Sequence, residues 1–294
     1  MPVESAAARL RRLLDGPRPL LMPCCFDALS AKLIEAAGFP LTFMSGFAVS
    51  AARLALPDTG LISYAEMLDQ GRNICAAVSI PVIGDGDTGY GNAVNVKRTV
   101  TGYARAGFAA VMIEDQVAPK RCGHTRGKQV VPHGEAVARV RAAVDARNEG
   151  ADILILARTD ARATHGLGEA LARARAFRAA GADILFVEAP ENEDEMRRIC
   201  AEAPGPHLAN MLEGGSTPLL SPVRLGEIGY ALVAYPLTLL AASIAAMQAA
   251  LADLATGVAP SPRLVPFTEL RRLVGFEAYD AECARYRTVV EGSA

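Results

Sequence analysis

With 294 residues, 51% of them apolar, the chain has enough material for one large buried core. Its 30 basic and 32 acidic side chains leave a formal charge of -2, which excludes the basic surface expected of a nucleic-acid or acidic-membrane binder. Six cysteines (Cys24, Cys25, Cys75, Cys122, Cys200 and Cys283) show no C-x-x-C spacing and no secretory leader stands before them. The expectation is a cytoplasmic protein with reduced thiols, not a disulfide framework.

The opening E-S-A-A-A-R-L-R-R-L-L-D-G predicts an amphipathic helix stopped by Gly16 and Pro17. Leu20–Pro23 then reads as a strand, and Phe26–Ala37 as a helix that ends in A-A-G-F-P before the next apolar run at Leu41. The same device recurs: A-R-A-G-F precedes Ala109, N-E-G-A-D precedes Ile153, and R-A-A-G-A-D precedes Ile184. Each is a helix closed by a left-handed glycine, with a short apolar strand two or three residues later. Continuous apolar strands alternating with helices indicate a parallel sheet buried on both faces.

Candidate strands lie near residues 20–23, 41–45, 80–85, 109–114, 152–158, 183–188, 206–210 and 230–234. Eight such units in this length predict an α/β fold closed as a (β/α)8 TIM barrel rather than an open doubly wound sheet. No G-x-G-x-x-G follows the first strand. Tyr230–Ala252 carries no charge and is long enough to span a bilayer, but Pro236 cuts it. The reading there is a strand over Tyr230–Ala234 and a helix packed on all sides, whose small residues suit close packing against another subunit. Pro260–Pro266 reads as a linker and Glu269–Val290 as a helical tail. Residues 1–294 thus form a single barrel domain with a C-terminal helical tail over about 260–294.

The strand ends carry the chemistry. In V-I-G-D-G-D-T-G-Y-G, Asp85 and Asp87 leave a buried strand, and residues i and i+2 of an extended segment share a face. Two neighbouring carboxylates repel unless a cation or proton sits between them, which points to a hard divalent cation, Mg²⁺ before Mn²⁺. The alternative is an acidic loop capping the following helix. Ser45 and Gly46, Glu114 and Asp115, Arg158 and Asp160, Glu188, and Asn210 close other strands, and all converge on the C-terminal mouth of a barrel. A metal would neutralise Asp85, Asp87, Glu114 and Glu188, leaving Arg158 to hold a carboxylate bidentately. That combination suits a 2-oxo or 2-hydroxy acid.

The long loop Gln116–Pro132 is a candidate lid. Within it, Cys122 is flanked by Lys120, Arg121 and His124, cations that lower a thiol pKa and make it a usable acid or base. The alternative is an exposed basic loop with an incidental cysteine. His133, His165 and His207 have no such context and read as structural or surface residues, and the other five cysteines are assigned no chemistry.

Taken together, S-G at 45–46, L-P-D at 56–58, D-G-D-T-G-Y-G at 85–91, I-E-D-Q at 113–116, K-R-C-G-H at 120–124, A-R-T-D at 157–160, E-A at 188–189 and N-M-L-E-G-G-S-T-P at 210–218 form a specific set. The chain resembles the isocitrate lyase/phosphoenolpyruvate mutase superfamily over nearly its whole length, closest to the methylisocitrate lyase and 2,3-dimethylmalate (2-alkylmalate) lyase branch. The resemblance implies a barrel whose eighth helix is exchanged between subunits of a homotetramer. It also implies that Asp87 binds Mg²⁺ directly, with Asp85 and Glu114 supporting it through water and Asp58 nearby. By the same resemblance Ser45, Gly46, Phe47, Asp85, Arg158 and Asn210 bind substrate, Glu188 lines the site, and Gly123 and His124 bind the departing half. Cys122 matches the lyase cysteine that protonates the departing carbanion, so that Cys122, Glu188 and Arg158 are the implied catalytic residues.

The implied function is Mg²⁺-dependent cleavage of a 2-alkylmalate- or methylisocitrate-like dicarboxylate to pyruvate or another 2-oxo acid plus a carboxylate. The alternatives are oxaloacetate decarboxylase or hydrolase activity, carboxyphosphonoenolpyruvate or phosphoenolpyruvate mutase activity, and a barrel kept only to bind metabolites. Departures bear on the substrate. Methylisocitrate lyases carry S-G-G and N-I-T-E-F-G where this chain has Ser45-Gly46-Phe47 and N-M-L-E-G-G. Their two arginines for a third carboxylate align with Ala241 and Phe267 here. A tricarboxylate would leave a charge unpaired, which favours a dicarboxylate bearing an alkyl group.

Overall fold

Eight short apolar runs form eight parallel strands in the computed structural model of the chain, which describes residues 4–17, 19–123, 125, 127–258 and 264–287. The backbone packs into two units, residues up to Ala241 and residues from Ala242 onward. In chain order the first runs α1 (Ala6–Leu14), β1 (Leu20–Cys25), α2 (Ala28–Ala36), β2 (Thr42–Met44), α3 (Gly46–Leu54), α4 (Tyr64–Ala77), β3 (Val82–Asp85) and α5 (Ala93–Ala106). It continues through β4 (Ala110–Glu114), α6 (His133–Asn148), β5 (Leu154–Thr159), α7 (Ala161–His165), α8 (Leu167–Ala179), β6 (Ile184–Val187), α9 (Glu193–Glu202), β7 (Leu208–Asn210), α10 (Pro222–Ile228) and β8 (Leu232–Tyr235). The helix α11 (Thr238–Ala255) follows, and then α12 (Phe267–Val274) and α13 (Phe276–Arg285).

The strand order β6-β5-β4-β3-β2-β1-β8-β7 closes through a parallel bridge between Leu185 and His207, giving the (β/α)8 TIM barrel expected from the strand count. Each of the eight expected strands is present, within two residues of the expected ends. Helix starts follow their caps. The Asp27 side chain accepts from the Ser30 amide in a capping box, so α2 begins two residues later than the apolar pattern suggested. Gly107 (φ 99°) ends α5 in the left-handed conformation, as the A-R-A-G-F pattern required.

Alternation along each strand separates two cores. Ala110 and Met112 of β4 face the barrel interior with Met22, Ile83, Leu154, Leu156, Ile184 and Leu232, whereas Val111 and Ile113 pack outward under the helices. Ala7, Leu10 and Leu14 of α1 join the interior cluster, so this helix plugs the barrel at the N-terminal ends of the strands.

Two expectations change. The helix after Pro236 is not packed on all sides: only Leu240 of α11 is buried, and Ile244, Met247, Leu251 and Leu254 are exposed. Apart from Asp253 the helix carries no charge, so its exposed face is one that water solvates poorly. This helix is long and apolar enough to cross a membrane. The expected tail is two helices, broken at Gly275 (φ 89°), with the Arg271 guanidinium 4.2 Å from the Phe276 ring centre. Pro260 of the expected linker and Val290 of the expected tail lie outside the described residues.

Candidate active site

The strand ends on the α3 side open onto a cavity of about 70 Å³ lined by Ser45, Asp58, Asp85, Lys120, Arg121, Cys122, Gly123, Arg158, Glu188 and Asn210. Its other lining residues are apolar: Cys24, Phe43, Phe47, Met112, Phe186, Leu208, Leu212, Ala234, Pro236 and Leu237. Asp87 and Glu114 are buried beside it, and His124 lies outside the described residues.

Ser45 ends β2 and caps α3, its Oγ accepting from the Ala48 amide at 3.4 Å. With the Ala48 amide on Ser45 and the Gly46 amide on Asp85, the Phe47 amide is the one of that helix start left to meet an anion at the cavity wall. The Gly46 amide donates to Asp85 Oδ2 (3.1 Å), and a Cβ at Gly46 would stand 2.6 Å from that oxygen, so only glycine permits the contact.

The alignment of Asp85 and Asp87 is not that of one extended strand. β3 ends at Asp85, and Asp87 is left-handed (φ 48°). The turn is held by the Gly86 amide on the Met112 carbonyl (2.9 Å), the Glu114 amide on the Asp87 carbonyl (2.9 Å) and the Asp87 amide on Asp85 Oδ1 (3.1 Å). The Tyr103 hydroxyl braces the Asp85 carbonyl at 2.7 Å.

Lys120 is the residue that sequence reasoning placed wrongly. It was expected to act on the Cys122 thiol. Instead its buried ammonium lies 2.6 Å from Asp58 Oδ1 and 2.8 Å from Asp87 Oδ1. Neither oxygen has a hydrogen-bond partner of good geometry, and nor has Glu114 Oε1, so these are charge contacts and one orphaned carboxylate oxygen. Burial pushes the Asp87 carboxyl up to about 7; Lys120 pulls the other way, and Asp85 and Asp58 add to the rise. Burial likewise holds Glu114 well above the carboxylate range, against the pull of Arg158. Burial opposes charge on Lys120 itself, but Asp87, Asp85, Asp58 and Glu114 outweigh it and keep the ammonium protonated.

Among the described residues no three acidic, His or Cys side chains are already drawn into a metal cage. The donor set nevertheless fits a hard divalent cation. Buried carboxylate oxygens with unmet demand at Asp58, Asp87 and Glu114 are the ligands Mg²⁺ prefers.

Arg158 is not left to one ligand, as had been expected. Nε and Nη2 donate to the two oxygens of Asp160 (2.9 and 3.0 Å), Nε lies 3.3 Å from Glu114 Oε2, and Nη2 lies 3.2 Å from Glu188 Oε2. Those carboxylates outweigh burial and hold the guanidinium charged. Asn210 Nδ2 donates to Glu188 Oε2 at 3.3 Å, and Glu188 Oε1 accepts from the amide of Ala189, a left-handed residue (φ 59°).

Behind this layer stand residues to which the strand-end pattern assigned no role. The Asp115 carboxylate accepts from the Thr159 hydroxyl (2.6 Å) and the Asp160 amide (2.9 Å), and Arg173 Nη1 holds it at 3.0 Å.

The 116–132 loop closes on itself. Val117 donates to Gln129 and Val131 to Asp115, while the Gln116 amide group both accepts from and donates to the Arg121 backbone at 2.9 and 2.8 Å. The closure presents Cys122 and Gly123 to the cavity. Cys24 also lines it, although its thiol faces the Met22 carbonyl and burial raises its pKa well above normal, which leaves it inert.

Residues 10–255 match the family described as phosphoenolpyruvate phosphomutase. A 2,3-dimethylmalate lyase of Eubacterium barkeri is 44% identical over 280 residues, covering 93% of this chain and 95% of that protein. The chain belongs to the phosphoenolpyruvate mutase/isocitrate lyase superfamily. Within that superfamily it is a carbon–carbon lyase. A 2-methylisocitrate lyase of Aeropyrum pernix is 39% identical over 290 residues, covering 97% of this chain and 93% of that one.

Solved structures of the superfamily superpose closely. A 2,3-dimethylmalate lyase matches with a TM-score of 0.92 at 37% identity, covering 100% of this chain and 99% of that one. An oxaloacetate acetylhydrolase holding 3,3-difluorooxalacetate also matches at 0.92, with 33% identity and 97% and 98% coverage. A phosphonopyruvate hydrolase complexed with oxalate and Mg²⁺ matches at 0.86, with 31% identity and 96% and 99% coverage.

Proposed function

We propose that the chain cleaves the C2–C3 bond of a 2-alkylmalate-like dicarboxylate, giving pyruvate or another 2-oxo acid and a carboxylate. The observation that carries this reading is that Cys122 and Arg158 line one cavity together with the acids Asp58, Asp85 and Glu188 and with an apolar set that includes Phe47, Phe186, Leu212 and Leu237. Arg158, the Phe47 amide at the start of α3, and Asn210 hold carboxylate oxygens. Phe47, Phe186, Leu212 and Leu237 surround an alkyl substituent, and the 2-hydroxyl gives up its proton to one of the carboxylates lining the cavity (Asp58, Asp85 or Glu188) as C2 becomes a carbonyl. The electron pair of the broken bond goes to C3, where the Cys122 thiol delivers a proton. Asp87, with Asp85, Glu114 and Asp58, would hold Mg²⁺ (or Mn²⁺), which supplies Lewis-acid stabilisation of negative charge on oxygen. Gly123 packs so tightly on Arg158 and Glu188 that a side chain there would occupy their space.

By the resemblance, the positions expected to carry arginines for a third carboxylate are the apolar Ala241 and Phe267, which supports a dicarboxylate. The same reading makes the protein a soluble cytoplasmic enzyme of one barrel domain with a helical tail. In this reading α11 is the helix exchanged between subunits of a homotetramer, and its exposed apolar face is the surface such an exchange would cover. A second reading, oxaloacetate hydrolysis or decarboxylation, draws on the oxaloacetate acetylhydrolase likeness.

Incubation with Mg²⁺ and a panel of 2-alkylmalates, methylisocitrate, oxaloacetate and phosphonopyruvate, with detection of 2-oxo acids, separates the readings. Cys122→Ser should lower 2-alkylmalate cleavage about 1,000-fold while Mg²⁺ and pyruvate binding persist. Full lyase activity in that variant would end the proposal, and oxaloacetate consumption that persists in it would support the second reading.

A further inference from the structure

Lys128 occupies a polar loop where an exposed lysine would be unremarked, yet its side chain is only 4% exposed. An ammonium leaves water only where its charge and donors are met. Lys128 Nζ donates to the Gly123 carbonyl and to Asp160 Oδ1 (2.6 Å). Asp160 is fully buried and its two oxygens also hold Nε and Nη2 of Arg158. Gly123 follows Cys122 directly and seats against Arg158 and Glu188 with no room for a Cβ. A single ammonium therefore joins the cysteine-bearing loop to the carboxylate that orients the arginine. The base of Asp160 is fixed from behind, its amide donating to Asp115, so the link ends on an immobile point.

We propose that Lys128 is a positioning residue: by bridging the Gly123 carbonyl to Asp160, it latches the Cys122 loop onto the Arg158 subsite and sets the distance between acid and carboxylate anchor. The roles of Cys122 and Arg158 rest on the lyase reading, whereas the latch can be measured without turnover. Without the ammonium, Asp160 keeps Arg158 as a partner, so carboxylate binding survives while the loop loses its tether.

The test uses the full-length protein with Mg²⁺ and oxalate, and reads alkylation of Cys122 by iodoacetamide by mass spectrometry relative to the exposed Cys283 in the same sample. Lys128→Met should raise the Cys122 to Cys283 rate ratio about tenfold, while the oxalate Kd changes less than about threefold because Arg158 is still held. On a cleaved 2-alkylmalate, kcat should fall about 100-fold with KM little changed, the signature of a misplaced acid. Should Lys128→Met fail to fold by circular dichroism, Lys128→Gln, which keeps a donor for Gly123 but no charge for Asp160, is judged by the same ratio. A ratio within twofold of wild type in a folded variant overturns the latch, whatever happens to turnover. A raised ratio in a protein that cleaves no 2-alkylmalate sustains the latch and overturns the lyase reading instead.

Discussion

At the N-terminal end of the strands, α1 lays Ala7, Leu10 and Leu14 against Leu41, Ala109, Leu154, Leu208 and Ala231, and His207 is the buried titratable side chain there. At the C-terminal end, Asp58, Asp85, Asp87, Glu114, Asp160, Glu188, Lys120, Lys128 and Arg158 are all buried, at the strand ends or on the segments that follow them. The first end is a packed plug whose side chains could be exchanged for others of the same volume. The second gathers more negative than positive charge in low dielectric and leaves carboxylate oxygens at Asp58, Asp87 and Glu114 without good hydrogen bonds. Such an arrangement lowers stability and persists only where something binds. The barrel thus separates what holds it together from what it does.

The sharpest way to break this contrast is Asp87→Asn. Removing one of the crowded carboxylates should lower kcat/KM about 1,000-fold, roughly 4 kcal/mol of transition-state stabilisation. Yet the metal-free protein should become more stable by about 1 kcal/mol, a rise in Tm of about 2–4 °C, because a buried acid raised to about 7 no longer has to ionise among like charges. Calorimetric Mg²⁺ titration beside thermal melts in chelator checks both halves. A variant that loses activity and stability together would mean that the acids serve the fold as well.

The converse substitution is Leu10→Ala at the plug, where the side chain is fully buried. It should cost about 2–5 kcal/mol by loss of contacts and creation of a cavity. Below its melting transition the variant should keep wild-type kcat/KM, because the residues that the cavity shares with α1's cluster (Cys24, Phe43, Met112, Phe186, Leu208 and Ala234) sit on strands held by the closed sheet rather than by α1. Urea unfolding and steady-state rates measured at one temperature decide it; a large fall in kcat/KM would show that the plug shapes the mouth.

The contrast also explains what could be read from the sequence. Buried parallel strands are short apolar runs, so all eight stand out, and the polar residues ending six of them mark the mouth because a strand reports its own terminus. Arg158, Glu188 and Asn210 meet there as that logic requires. Residues in loops give no such signal. Lys120 and Arg121 are neighbours of Cys122 in sequence, but where an ammonium turns depends on contacts up to 62 residues away, such as Lys120 with Asp58. The left-handed Asp87 broke the two-residue strand rule, and the cluster survives only because the turn returns its carboxylate toward Lys120. Lys128 carries no local mark at all, since its meaning lies in the Asp160 carboxylate beyond β5, and Asp115 is marked as a strand end while its bracing by Thr159, Asp160 and Arg173 is not. For α11 the small apolar residues read as a face to be covered, by its own barrel or by another subunit, and within the single chain that face is exposed.

The smallest effect tests the quiet end of the barrel. His207 is buried where β7 begins; its Nε2 donates to the Ala203 carbonyl, and Nδ1 has no hydrogen-bond partner. Burial depresses its pKa, with the Ala203 bond opposing in part, so the folded protein resists a proton that the unfolded chain accepts near the ordinary value of about 6.5. The unfolded state therefore binds more protons below that pH, and stability is full above it and declines as pH falls toward the depressed folded pKa. The slope can reach about 1.4 kcal/mol per pH unit. Unfolding free energies of wild type and His207→Gln between pH 7.5 and pH 5 isolate this contribution, because the mouth carboxylates titrate alike in both and cancel in the difference. The variant should show the flatter fall, while the pH profile of kcat/KM stays the same in the two proteins. Parallel stability curves would place the titration elsewhere, and a shifted activity profile would mean that charge at the plug is felt at the mouth.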